Sequence, residues 1–110
     1  MKFYRYEFRL DQTGGVLALM EFILHKETPM GYWIIPEWAD SGWYNVKRLK
    51  RWVLKKSLKR YAYPTKEEAL TNYIERTKKR KMILKSQIIS CETGLRIAEN
   101  FKEKLLTIKS

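Results

Sequence analysis

Residues 60–85 read RYAYPTKEEALTNYIERTKKRKMILK, and this stretch divides the chain into two kinds of structure. Thr65 is placed to cap a helix with its hydroxyl, and Glu68, three residues on, to reach back to the Thr65 amide as a capping box. Pro64 blocks helical continuation backwards and biases Tyr63 towards an extended conformation. No Gly or Pro follows until Gly94. At about 100° per residue, Leu70, Tyr73, Ile74, Thr77 and Leu84 fall on one side of the predicted helix. Arg76 and Arg80 border that apolar stripe beside Tyr73, one turn apart, where two guanidiniums can converge. A charge bordering buried surface needs a partner, and Arg suits a planar or tetrahedral anion because it offers two donors at once. Lys78, Lys79 and Lys81 read as a solvated basic face.

Downstream, apolar or small residues recur at Leu70, Ile74, Thr77, Leu84, Ile88, Cys91, Leu95, Ala98 and Leu105. The steps alternate between three and four, interrupted by Lys81 and Lys102, which makes a heptad seam with two cationic defects. The pattern fits one helix over residues 66–106 or a pair broken near residues 90–94. Gly94 costs only ~1 kcal/mol against Ala, too little to force the break. A helix of about 40 residues reaches about 60 Å, more than a four-stranded sheet covers. A homo-oligomer built through this helix is therefore expected.

Upstream the chain reads as strands. Residues 3–10 alternate, with Tyr4, Tyr6, Phe8 and Leu10 on one side and Arg5, Glu7 and Arg9 on the other, the period of a half-buried strand. Residues 11–15, DQTGG, form a turn whose glycines supply positive φ. Residues 16–26 make the second strand of a hairpin. After the turn at residues 28–31 comes a short strand, residues 32–35, stopped by Pro36. Residues 36–45 form a loop holding Trp38, Trp43 and Tyr44, aromatics that dock on the sheet or on a partner. Residues 48–58 are predicted as a fourth strand with Trp52, Leu54 and Leu58 sharing a face. The fold class is α+β: one domain, an antiparallel four-stranded sheet over residues 1–60 and a helical, oligomerising part over residues 65–107.

The chain has 110 residues and a net charge of +11, enough for one modest core. The charge is local: residues 47–85 carry 15 Lys and Arg against three Glu, and the rest carries 8 against 9. An anionic partner is expected: nucleotide, phosphate or nucleic acid. One cysteine allows no internal disulfide, which fits a reducing compartment. The first residues lack the apolar core of a signal peptide, and no stretch approaches the ~20 apolar residues of a membrane span. A cytoplasmic protein with no membrane contact is expected. His25 and Cys91, one of each type, supply neither a triad nor a zinc set. The glycines at 14 and 15 lack the Lys that completes a phosphate-binding loop, and no carboxylate pair stands out as acid and base. Binding, with no metal, cofactor or catalysis, is the expectation. His25 reads as a strand-end residue and Cys91 as core.

Three stretches carry a resemblance to a known family: HKETPMGYWI (residues 25–34), KRYAYPTKEEAL (residues 59–70) and YIERTKKRKMIL (residues 73–84). They resemble the first family of phage Thoeris anti-defence proteins. That resemblance implies an N-terminal antiparallel sheet with C-terminal helices, assembled as dimers or hexamers in the host cytoplasm. It also implies sequestration, without cleavage, of cyclic ADP-ribose immune signals such as glycocyclic ADP-ribose, and in part of the family of cyclic oligonucleotides. In such a sponge Arg76 and Arg80, with Arg60, would hold phosphates; Tyr61, Tyr32 or Trp33 would stack the adenine; Thr28 and Lys56 would close the pocket. Two other readings stand beside it. One is a nucleic-acid-binding surface over residues 47–85. The other is a blocker of a host defence enzyme that acts through residues 38–44.

Overall fold

A computed structural model describes residues 1–43 and 45–109; Tyr44, one of the predicted loop aromatics, lies outside them. The fold is α+β. Four antiparallel strands, β1 (Lys2–Arg9), β2 (Val16–Glu27), β3 (Gly31–Pro36) and β4 (Arg51–Leu54), form a sheet in sequence order. A 44-residue helix, α2 (Lys66–Lys109), follows. Between β3 and β4 lie a 3-10 turn at Glu37–Ala39 and a four-residue helix, α1 (Val46–Leu49).

The first hairpin forms as its sequence dictates. Asp11 accepts hydrogen bonds from the amide and the hydroxyl of Thr13 at 2.9 and 2.6 Å, which hold its carboxyl below the usual carboxylate range, the hydroxyl contributing most. Gly14 and Gly15 take φ of 114° and 153°. The turn sets the register Arg9↔Val16 through Lys2↔Ile23.

The predicted alternation of β1 holds, but the core takes the opposite side. Phe3 is fully buried, while Phe8 is exposed, as is Leu10 beyond the strand. Facing residues of an antiparallel pair share a side, so Phe3, Phe22, Ile34 and Val53, one from each strand, line one face. Ala62 completes this cluster, with Tyr32, Tyr61 and Met20 packed on it. The reason is the route of the chain after β4. It passes over the core face and reaches the outer edge of β1, where Tyr63 and Tyr4 exchange backbone hydrogen bonds of 2.7 and 2.9 Å. Only residues on the Phe3 side can meet this strap.

Arg5 lies on that side too. Its guanidinium donates to the Tyr61 carbonyl at 2.8 Å and to Glu7 at 2.9 Å, and sits 4.4 Å from the Tyr61 ring centre. A partly buried cation is tolerated because its donors are used and its stem packs. Arg5→Ala is expected to cost about 1.5–3 kcal/mol, the range for hydrogen bonds made by a charged group. The check is the midpoint of urea unfolding; an unchanged midpoint would show that the strap is held without Arg5.

The fourth strand is shorter than expected. Asn45 accepts from the Lys47 amide at 3.2 Å and caps α1, so residues 46–49 are helical. In β4 the core residue is Val53 rather than the predicted Trp52–Leu54–Leu58 face, and Leu58 is exposed. Ala39 of the 3-10 turn, which lies beside β2, is buried. Lys2 reaches Glu37 of this turn at 2.9 Å. Their hydrogen bond raises the pKa of Lys2 and lowers that of Glu37.

The helix starts where the capping argument places it. The Glu68 amide donates to the Thr65 hydroxyl at 3.2 Å, and Glu67 and Glu68 occupy the positive first turn. Ala69 is buried. The helix is continuous through Gly94, where a Cβ would meet nothing within 4 Å. The chain divides into two compact units, Met1–Ile74 and a second beginning at Glu75. In the second unit nearly every described residue is exposed. Cys91, expected in a core, is exposed. Among the described residues no helix is long and apolar enough to cross a membrane.

Candidate functional site

The sheet face opposite the core carries an aromatic and cationic group that only the strand register assembles. Trp33 of β3 faces Trp52 of β4. Their rings are 4.9 Å apart and tilted by 51°, a favourable arrangement for two quadrupoles. The ammonium of Lys50 stands 4.5 Å from the Trp33 ring centre, within cation–π range. Both tryptophans and Lys50 are half-buried, so each ring keeps accessible surface. Gly31 makes room for the pair: a Cβ there would lie 2.4 Å from the Val53 carbonyl and 2.8 Å from the Trp52 ring.

Leu54, two residues beyond Trp52 on the same strand face, lines a neighbouring cleft of about 250 Å³ with Pro29, Met30, Lys55, Lys56 and Ser57. Lys55 pairs with Glu27 at 2.7 Å and stands 5.1 Å from the Tyr32 ring. Lys56 is exposed at the cleft mouth. Exposed Lys47 and Arg48 lie on α1, just before β4, and make the potential near it positive; Arg51, facing Ile34, lies on the core side, 5.7 Å from the Tyr61 ring.

The predicted site residues separate into three groups. Thr28, Arg60 and Tyr61 have structural work. The Thr28 hydroxyl and the backbone of Gly31 bond each other at 3.2 Å and close the β2–β3 turn. Arg60 donates to the carbonyls of Ser57, at 2.8 Å, and of Lys55. Tyr61 packs edge-on against Phe22 at 5.5 Å, with Arg5 against its ring. Tyr32 points to the core side, 5.3 Å from Phe3, while Trp33 and Lys56 belong to the outer face and its cleft. Arg76 and Arg80 lie on the part of α2 that belongs to the second unit. Arg80 is exposed; Arg76 is half-buried, and its Nε is withdrawn from solvent.

Lys50 and Trp52 escaped the sequence reading as site residues. Lys50 reads as solvated in a basic run and Trp52 as strand core; their meeting with Trp33 depends on a β3–β4 register that no tight turn announces. His25 is exposed at an irregularity of β2, between Leu24 and Lys26. In the loop, Trp43 is 90% exposed and Trp38 61%. Among the described residues no three His, Cys, Asp or Glu side chains are grouped as metal ligands. Compared with family models, with curated proteins and with solved structures, the chain matches none.

Proposed function

We propose that this protein binds an anionic ligand of the nucleotide class and holds it without turning it over. In the form that the Thoeris anti-defence resemblance implies, it is a sponge for a cyclic ADP-ribose signal. The observation that carries the reading is the Trp33–Trp52 pair with Lys50 above it. Rings that keep an accessible edge beside a cation offer a base a stacking surface and its phosphate a charge. Stacking on an aromatic side chain contributes ~1–3 kcal/mol per base. Lys56 at the adjoining cleft supplies a second cation for the same ligand. Arg76 and Arg80, one turn apart on α2, are a separate anion-binding element.

The exposed cations of residues 47–60 favour nucleic acid as the competing reading, and salt dependence separates the two. A duplex binder loses about 0.9 log units of affinity per log unit of salt for each phosphate it neutralises. A ligand with two or three phosphates, held partly by stacking, gives a shallow slope. The experiment is titration of glycocyclic ADP-ribose and of a short duplex at two salt concentrations. The cyclic ligand is expected to saturate at fixed stoichiometry. Lys50→Gln should weaken it about tenfold, as loss of a charge-assisted contact of ~1.5–3 kcal/mol requires. Lys47→Ala, on an exposed side chain, should leave it unchanged. Tighter duplex binding with a steep salt slope, and losses spread evenly over every cation, would overturn the proposal.

A further inference from the structure

In the second unit the seam residues Leu84, Ile88 and Leu95 are 45, 56 and 62% exposed. A row of leucine and isoleucine at heptad spacing is unstable in water without a cover. The charges along its flanks specify which cover fits. With Leu84 and Cys91 at d and Ile88 and Leu95 at a, the flanking e positions are Lys78, Lys85, Glu92 and Glu99. Two are basic and N-terminal, two acidic and C-terminal, and all four are exposed.

In an antiparallel pair, a residues meet d residues and e residues meet e residues of the other helix. The layers then become Ile88 with Cys91, Leu84 with Leu95, Lys81 with Ala98, and Thr77 with Lys102, each occurring twice by symmetry. The same register sets Lys85 against Glu92 and Lys78 against Glu99, again twice each. Every e-position charge meets its opposite. Both cationic defects face small residues, alongside which a lysine stem can lie with its ammonium reaching water. A parallel pair has none of this. It stacks Lys81 on Lys81 and Lys102 on Lys102 in the seam, and brings Arg80 at g next to Lys85 at e of the other helix, like charges at both levels.

We infer that α2 pairs antiparallel with a second copy of this chain, centred between residues 89 and 90, with Lys85–Glu92 and Lys78–Glu99 selecting the direction. The inference does not depend on the ligand. Charge reversal and a distance measurement on the full chain test it. Lys85→Glu turns two attractive pairs into two repulsive ones, and the dimer Kd from sedimentation equilibrium should rise about tenfold or more, at up to ~1 kcal/mol per exposed pair. Lys85→Glu/Glu92→Lys should restore it. A nitroxide at Lys79→Cys, with Cys91→Ala, should report a separation above about 30 Å, because 21 residues at about 1.5 Å each lie between the two labels along the axis and the width of the pair adds to it. A parallel pair places them within about 20 Å and is strengthened by Lys85→Glu, which then faces Arg80. A short distance, a tighter dimer for Lys85→Glu, failure of the double variant to recover, or a monomer at tens of micromolar would each overturn the inference.

Discussion

Replacing Phe22 with alanine is expected to cost the sheet unit about 3–5 kcal/mol, the range for removing a buried aromatic ring from a close-packed core. Phe22 is 1% exposed and sits at the centre of the cluster formed by Phe3, Ile34, Val53 and Ala62. It also takes the edge of Tyr61 at 5.5 Å, so the cavity opens beneath the strap as well as between strands. A domain of this size is stable by only ~5–15 kcal/mol in total. The variant should unfold at a much lower denaturant concentration, read from tryptophan fluorescence, because Trp33 and Trp52 lie on the strands this core supports. Phe8→Ala, at an exposed position of the same hairpin, should change the midpoint little. Equal losses for the two would mean that the core lies on the other side of the sheet.

Gly31→Ala is expected to be the next most damaging single change, and it reaches the candidate site directly. The added methyl falls 2.4 Å from the Val53 carbonyl oxygen, a backbone atom that cannot swing aside, and 2.8 Å from the Trp52 ring. Overpacking of this kind costs about 1–3 kcal/mol. Relief requires β3 and β4 to part at the Gly31↔Leu54 pair, which displaces Trp52 from Trp33. Two readouts should move together: the unfolding midpoint falls, and the near-ultraviolet circular dichroism of the coupled indoles diminishes. Affinity for the cyclic ligand should fall with them. Lost stability with an unchanged indole signal would place the strain elsewhere than at Trp52.

These residues also show what the sequence could and could not tell. The first hairpin was legible because Gly14 and Gly15 leave the chain few alternatives, and the helix because Thr65, Glu68 and a long run without Pro agree. The buried side of β1 was not. Counting apolar residues favours the side of Tyr4, Tyr6 and Phe8, but burial is decided by the strap at Tyr61 and Ala62, which arrives from 60 residues away and lands on Phe3 and Arg5. The fourth strand was overdrawn because apolar residues stand among Lys and Arg all the way through residues 48–58, whereas the cap at Asn45 makes residues 46–49 a turn of helix and the strand ends at Leu54. Of the candidate site, Trp33 and Lys56 were legible as an aromatic and a cation in a basic region. Their company was not. Lys50 and Trp52 join them through the register Trp33↔Trp52, across a connection of 14 residues that contains its own short helices. Thr28, Arg60 and Tyr61 look like ligand contacts in a list of residue types, and only their backbone partners reveal them as the joints of the turn and the strap.

Retention of a nucleotide signal without turnover is tested most directly by weighing what the protein releases. The protein is loaded with glycocyclic ADP-ribose, freed of unbound ligand, and heated until it unfolds; the supernatant is then examined by mass spectrometry. The expected result is the intact cyclic molecule, in a fixed ratio to protein, with the ratio sharply reduced for Lys50→Gln. Recovery of a ring-opened or hydrolysed product, or of no nucleotide from a protein that was folded when loaded, would contradict it.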